Sequence, residues 1–149
     1  KMADAASVTF TATILPDEIA KTLSGSITVT PADANDKWYY KLTAVSASSV
    51  DLIAGNYVGY TAIATGTGMT AVASGDKVKF LYVQNTHAST DVYIVGNAAA
   101  SVSAAGNIYI PAGESVALRL PNSTVADLHA ITSTGSATCI VAALLDDVA

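Results

Sequence analysis

The stretch Val78-Lys-Phe-Leu-Tyr-Val-Gln84, with Asp91-Val-Tyr-Ile-Val95 shortly after it, decides the fold class of this chain. Both segments are dense in β-branched and aromatic residues, which favour extended backbone. Between them lies Asn85-Thr-His-Ala-Ser-Thr90, a polar segment of loop composition. The pattern predicts two strands that pair with each other in antiparallel fashion.

A second pair of strands is predicted immediately downstream. Asn107-Ile-Tyr-Ile110 and Ser115-Val-Ala-Leu-Arg-Leu120 flank the segment Pro111-Ala-Gly-Glu114. Proline presets φ for the second position of a turn, and Gly113 can take a positive φ or start a bulge. These features are typical of a β-hairpin.

The rest of the chain repeats the same alternation of apolar and polar residues, which is the period of a strand. Leu15–Leu23 is the exception and predicts one short helix, because Pro16 suits a first turn and Asp17 and Glu18 complement the helix dipole. About ten short strands with turns between them predict an all-β fold, an antiparallel β-sandwich or jelly roll with a short N-terminal arm and at most one short helix. The other predicted strands are Val8–Ile14, Ser26–Thr30, Lys37–Val45, Ser48–Ile53, Asn56–Ile63 and the pair Asp127–Thr132 with Ala137–Ala142.

The length of 149 residues suits one domain with a core that needs no disulfide or metal. We expect residues 1–14 to form the N-terminal arm and first strand, and residues 15–149 to form a single β-sandwich domain. No apolar run approaches the roughly 20 residues that span a bilayer, so a membrane is not an expected partner.

The chain is poor in charge. Charged residues make up 13% of it, against a usual share of roughly 25%, while apolar residues reach 51%. A surface built from Ser, Thr, Ala and Gly can be buried in contacts at little desolvation cost. We therefore expect extensive contacts between subunits. The net charge of -5 opposes binding to phosphates, so nucleic acid is not an expected partner either.

Residues that could carry chemistry are few. His87 and His129 have no second His or Cys at zinc-ligand spacing, and the lone Cys139 lies in a pattern typical of a buried strand. Asp33-Ala-Asn-Asp-Lys37 superficially resembles a calcium loop, but a lysine stands where a ligand is needed and no glycine follows it. The sequence predicts no catalytic residues, no metal, no cofactor and no enzyme activity.

The aromatic residues leave two alternatives open. In Lys37–Val45, alternation places Trp38, Tyr40, Leu42 and Ala44 on one face, predicted to be core, and Tyr39, Lys41 and Thr43 on the other. Tyr39 is thus a candidate for an interface. Alternatively, an exposed coplanar pair of rings would indicate a carbohydrate-binding or adhesive module, since aromatic rings suit the apolar faces of sugars. The candidates for such a pair are Trp38, Tyr39, Tyr57 and Tyr60.

The central strands carry apolar residues on both faces. Leu81, Val83 and Tyr93 lie opposite the residues predicted to face the core, so their side of the sheet needs cover from another subunit or from the N-terminal half. Val8, Phe10 and Ile14 could add as a strand to the edge of a neighbour's sheet. These residues and Tyr39 form the predicted interface set: Val8, Phe10, Ile14, Tyr39, Leu81, Val83 and Tyr93.

The second half of the chain resembles small β-sandwich structural proteins of tailed bacteriophage virions, most closely capsid decoration (cement) proteins. The resemblance lies in the order of Asn85-Thr86, Asp91-Val-Tyr-Ile94, Ile108-Tyr-Ile-Pro-Ala-Gly-Glu-Ser-Val116 and Leu128-His-Ala-Ile-Thr-Ser-Thr-Gly-Ser-Ala137. It implies a homotrimer on the outer surface of the capsid, with the major capsid protein as partner, a location in the virion and no enzyme activity. A head fibre, tail or neck protein is the other virion location that fits the same pattern.

Overall fold

The computed structural model describes residues 5–14, 21–33, 35–58, 70–96 and 100–148, and it is almost entirely β. It divides into two units, Lys1–Ala32 and Asp33–Ala149. The strands of the described residues are β1 (Ala6–Ile14), β2 (Lys21–Val29), β3 (Asp36–Ser46), β4 (Val50–Asp51), β5 (Lys77–Asn85), β6 (Val92–Val95), β7 (Ile108–Ile110), β8 (Ser115–Leu118), β9 (Ser123–Thr124), β10 (His129–Thr132) and β11 (Ser136–Asp146). A 3-10 turn, Val125–Asp127, precedes β10.

The second unit is an antiparallel β-sandwich, as the sequence predicts. One sheet has the order β3-β11-β5-β8, with β9 also pairing with β5, and the other has the order β4-β10-β6-β7. The residues that fill the space between the sheets come from both layers, including Leu81, Val83 and Val141 on one side and Val92, Ile94 and Ile110 on the other. Apolar burial between two sheets is therefore what stabilises this unit.

The predicted strand pairs are wrong, although the strands themselves are present. β5 and β6 lie in different sheets, and so do β7 and β8, and β10 and β11. Each connection is an arch that crosses the roughly 10 Å between the layers, rather than a hairpin within one layer. A strand, a polar loop and another strand look the same in sequence in both cases, since each strand still turns one apolar face to the core.

The side chain of Asn85 contacts two of these arches, the β5–β6 and the β7–β8 connections. It is fully buried, and its side-chain amide nitrogen lies 2.7 Å from the carbonyl oxygen of Thr90 and 3.2 Å from those of Ile110 and Pro111. Its side-chain oxygen accepts a hydrogen bond from the backbone amide of His87 at 3.1 Å. One side chain thus donates to carbonyl groups in both the β5–β6 and the β7–β8 connections and links the two connections to each other.

The predicted faces of β3 are inverted. Tyr39, Thr43 and Val45 are buried, whereas Tyr40 is 57% exposed and Leu42 is 59% exposed. The polar atoms of the buried residues are satisfied by the segment that follows β4. The Tyr39 hydroxyl donates to the carbonyl of Ala54 at 3.1 Å, and the Thr43 hydroxyl donates to that of Leu52 at 3.3 Å.

The first unit is a two-stranded antiparallel sheet formed by β1 and β2. The predicted strand Val8–Ile14 is confirmed within β1. The predicted helix is wrong for residues 21–23, which belong to β2, and its residues 15–20 lie outside the described residues. The predicted boundary between residues 14 and 15 stays a prediction.

Other predicted features are confirmed or shortened. Gly113 has a φ of 78° in the turn between β7 and β8, as the sequence predicts. The predicted strand Ser48–Ile53 is shorter, since only Val50 and Asp51 form β4. For the predicted strand Asn56–Ile63, Asn56 makes an isolated bridge with Ala71, and residues 59–63 lie outside the described residues.

Candidate interaction surfaces

The register of the β1–β2 hairpin separates its side chains by chemistry. Val8 pairs with Ile27, Phe10 with Gly25, and Ala12 with Leu23, so these residues share one face. The only charged residue in either strand, Lys21, pairs with Ile14 at the end of that face. The opposite face carries only hydroxyl side chains: Ser7, Thr9, Thr11, Thr13, Thr22, Ser24, Ser26 and Thr28.

The apolar face of this hairpin is open to solvent over much of its length. Phe10 is 52% exposed, Ile14 46% and Leu23 45%. The Phe10 ring lies over Gly25, where an added Cβ would come within 2.7 Å of the ring atoms Cε2 and Cζ. A two-stranded sheet has little stability of its own in water, and this one leaves its largest apolar side chains exposed. We call residues Val8, Phe10, Ile14 and Leu23 the hairpin face.

A second exposed apolar surface lies on the outer side of the five-stranded sheet. Tyr40 and Leu42 of β3 pair with Ala142 and Ile140 of β11, which in turn pair with Tyr82 and Gln84 of β5. These residues alternate with core residues such as Cys139 and Val141, so they point away from the other sheet. The rows Tyr40-Ala142-Tyr82-Ala117 and Leu42-Ile140-Gln84-Ser115 contain no charged side chain. We call these two rows the sheet face.

The predicted interface residues fall into two groups. Phe10 and Ile14 are exposed on the hairpin face, and Val8 is half-buried beside them. In contrast, Tyr39, Leu81 and Val83 are buried in the sandwich core, where each is at most 1% exposed. Tyr39, Leu81 and Val83 therefore pack within the chain itself. The sequence pattern missed Tyr40 and Leu42 as surface residues because it assigned their face to the core.

Tyr93, the remaining predicted residue, is half-buried on the outer side of the four-stranded sheet. Its ring centroid lies 5.2 Å from that of Tyr109, with an angle of 36° between the ring planes. The Tyr109 hydroxyl donates to a carboxylate oxygen of Asp91 at 2.8 Å, and this hydrogen bond raises the pKa of the hydroxyl. The two rings are tilted rather than coplanar.

Two of the four rings that were candidates for a sugar platform are buried. Tyr39 and Tyr57 are buried, Trp38 is half-buried, and Tyr60 lies outside the described residues. Burial raises the pKa of the Tyr39 hydroxyl, and the Tyr57 hydroxyl donates to the buried carboxylate of Asp76. Both rings therefore pack in the core, so neither Tyr39 nor Tyr57 supplies the exposed ring that the carbohydrate-binding alternative needs.

Asp51 and His129 line a cleft of about 340 Å³ at the edge of the four-stranded sheet, and Ser49 contacts His129 beside it. The Ser49 hydroxyl lies 3.3 Å and the Asp51 carboxylate 3.5 Å from the same imidazole nitrogen, Nδ1. The other nitrogen, Nε2, lies 3.2 Å from the carbonyl oxygen of Ala126. A hydrolytic triad needs the acid and the nucleophile on opposite nitrogens, so this arrangement does not activate Ser49.

Two ionisable side chains, those of Cys139 and Asp76, are fully buried. Burial raises the pKa of the Cys139 thiol to about 11, which keeps it protonated and unreactive at neutral pH. Asp76 is fully buried and accepts hydrogen bonds from Tyr57 and from the backbone amide of Ala73, the latter at 2.7 Å. Its other oxygen, Oδ1, has no hydrogen-bond partner among the described residues.

Charged residues are concentrated at one end of β3, β5 and β11. The Lys79 ammonium lies 2.6 Å from Asp36 and 3.3 Å from Asp146, and Lys37 pairs with Asp147. The Lys79 pKa is raised, chiefly by the hydrogen bond to Asp36. These ion pairs lie at the strand ends, outside the two rows of the sheet face.

No family model, no curated protein and no solved structure matches the chain. Within the described ranges no group of three or more His, Cys, Asp or Glu side chains could hold a metal ion, and no helix is long and apolar enough to cross a membrane. The candidate functional surfaces are the hairpin face and the sheet face, because both leave large apolar side chains exposed.

Proposed function

We propose that this protein is a non-enzymatic structural protein that adds lateral contacts to a large assembly, of the kind made by decoration proteins on the outer surface of a tailed-phage capsid. Its partners would be the major capsid protein and further copies of the same chain. The copies would form a homotrimer, and the location would be the virion. The proposal rests on the sequence resemblance and on the character of the exposed surfaces.

The observation that carries the proposal is the amount of large apolar side chain left open on two β surfaces of a chain with few charges. Leu42 is 59% exposed and Phe10 is 52% exposed, and neither surface has a charged residue at its centre. Such area is costly to leave in water at about 25 cal/mol per Å². An assembly that buries it gains this free energy, which a monomer does not.

The benefit to a shell would follow from mass action. A protein that binds only the assembled, expanded shell stabilises that state by RT ln(1 + [L]/Kd), and several weak contacts per oligomer add through avidity. Because the contacts would be apolar, attachment should depend little on salt, unlike an interface held by exposed ion pairs.

The experiment is to mix the protein with expanded tailed-phage shells that lack a decoration protein, and to measure occupancy by electron cryo-microscopy and shell melting by calorimetry. We expect saturable binding at symmetric positions and a raised melting temperature at both low and high salt. The variant Phe10→Ser/Ile14→Ser should reduce occupancy, whereas Val102→Ser, which changes an exposed apolar residue outside both faces, should not. Full-length protein that binds no such shell would contradict the proposal.

A further inference from the structure

The two exposed apolar surfaces of this chain are suited to each other. We infer that the hairpin face of one copy packs on the sheet face of a second copy, so that each chain gives one contact and receives one. This inference rests on the proposed function only in that it specifies the lateral contacts, and it is tested without any shell.

The first support is exposure in the single chain. Phe10, Ile14 and Leu23 are 52%, 46% and 45% exposed, and on the sheet face Tyr40 and Leu42 are 57% and 59% exposed. Apolar area of this kind is therefore open on both surfaces at once. A partner that covers one of them should itself present a complementary uncharged apolar surface, and a second copy always does.

The second support is charge. The two rows of the sheet face contain no ionisable side chain except the tyrosine hydroxyls of Tyr40 and Tyr82. The hairpin face has only Lys21, at its end beside Ile14, where a long side chain can reach past the edge of a contact. A charged partner would have to lose its hydration against either surface without an opposite charge to pair with.

The third support is shape. A two-stranded ribbon is about 10 Å wide, and the four strands β3, β11, β5 and β8 give a sheet about 15 to 20 Å wide at the usual strand spacing. The hairpin can therefore lie on the sheet as a third layer, at the roughly 10 Å separation of packed sheets. The hydroxyl face of the hairpin, with residues such as Thr9 and Thr11, would then remain towards water.

The size of the contact determines the form of the assembly. Strands of nine residues give a ribbon face of roughly 30 Å by 10 Å, so one contact buries at most about 600 Å² in total. This is below the roughly 1,200 Å² of a stable specific interface. A head-to-tail contact can close into a ring, in which every copy takes part in two contacts. We therefore expect a closed ring to be stable and an open pair to be weak.

The test uses two full-length variants that each lose one surface. Phe10→Ser/Ile14→Ser lacks the hairpin face, and Tyr40→Ser/Leu42→Ser lacks the sheet face. Each variant alone should be monomeric in sedimentation velocity, because every contact needs both surfaces. Mixed in equal amounts at high concentration, they should form a one-to-one heterodimer and nothing larger. The hairpin variant keeps only its sheet face and the sheet variant keeps only its hairpin face, so a single contact uses both.

Three results would overturn the inference. If the hairpin variant alone assembles like the wild type, sheet faces pair with each other. If the sheet variant alone assembles like the wild type, hairpin faces pair with each other. If the mixture forms no heterodimer at concentrations far above those at which the wild type assembles, the two faces do not meet. Val102→Ser is the matched control and should assemble normally, and circular dichroism with a cooperative melt establishes that each variant is folded.

The inference and the proposed function fail separately. A heterodimer in the mixture, together with full-length protein that binds no shell, would leave the contact established and remove the decoration role. Saturable shell binding by the wild-type protein, without a heterodimer in the mixture of variants, would support the decoration role and remove the contact.

Discussion

The β1–β2 hairpin and the sandwich are built from the same kind of alternating strand, yet they place their apolar residues differently. In the sandwich, Leu81 and Ile94 face each other's layers and are fully buried. In the hairpin, Phe10 and Leu23 alternate just as regularly with hydroxyl residues, but about half of each side chain is exposed.

The difference teaches that alternation predicts a two-faced strand without predicting what covers its apolar face. In the sandwich the second sheet covers it. On the hairpin face and the sheet face, residues of the single chain leave substantial area open, at Phe10 and at Leu42 for example. The low share of charged residues in the sequence thus corresponds to two uncharged surfaces of the structure, the hairpin face and the sheet face.

The largest effect that separates the two regions should come from truncating equivalent leucines. Leu81→Ala removes a fully buried side chain between the sheets and should lower the free energy of unfolding by about 2 to 5 kcal/mol. Leu23→Ala on the hairpin face should change it by less than about 0.5 kcal/mol in monomeric protein. Chemical denaturation at low protein concentration measures both, and equal losses would erase the distinction.

The next effect concerns the arches. Asn85→Asp keeps the side-chain shape but removes the amide that donates to the carbonyls of Thr90, Ile110 and Pro111, and it brings a carboxylate towards them. We expect a loss of about 1 to 3 kcal/mol. Asn122→Asp, at an exposed turn, is the matched control and should leave the melting temperature unchanged. A tolerated Asn85→Asp would show that the arches do not depend on this amide.

A smaller, pH-dependent effect is expected at the strand ends. Lys79→Met removes the ammonium that pairs with Asp36 and Asp146, at a cost of about 1 kcal/mol. The folded-state pKa of Lys79 is raised above the ordinary 10.5, so its contribution is fully present below that value and is lost as pH rises through the folded-state pKa. The stability gap between wild type and Lys79→Met should therefore be constant from pH 7 to pH 9 and narrow above 10.5. A gap that narrows already between pH 7 and pH 9 would contradict the assignment.

The smallest effect on stability should come from Gly25→Ala on the hairpin. An added Cβ would come within 2.7 Å of the Phe10 ring, but the ring is half-exposed and can swing away, so we expect a change of only a few tenths of a kcal/mol. Because the ring leaves its position, self-association should weaken all the same. A stability loss as large as that of Leu81→Ala would show that the hairpin ring packs as tightly as the core.

The sequence was sufficient for the fold class and for most strands. Alternation and the density of β-branched and aromatic residues found β1, β3, β5, β6 and β11, and proline and glycine placed the turn at Gly113. It could not distinguish arches from hairpins, because a loop such as residues 86–91 has the same composition whether it turns within a sheet or crosses between sheets. Pairing is decided by β11, which takes the central position between β3 and β5.

The candidate surfaces were only partly predictable. Phe10 and Ile14 followed from alternation in the first strand. The face of β3 did not, because Trp38, Tyr40 and Leu42 form the more apolar face and yet Tyr39 and Thr43 are the buried residues. Their hydroxyls donate to the carbonyls of Ala54 and Leu52, contacts that the strand pattern does not show. Leu23 was missed because Pro16, Asp17 and Glu18 are typical of a helix start, whereas residues 21–23 form part of β2.

The central claim is that the exposed hairpin and sheet faces are covered by assembly. Multi-angle light scattering of the wild-type protein, over a wide range of concentration and at both low and high salt, tests it most directly. We predict a single species whose mass is a multiple of the 15.1 kDa chain, a trimer, unchanged by salt because apolar contacts are not screened. A mass of one chain at every concentration and salt would contradict the account.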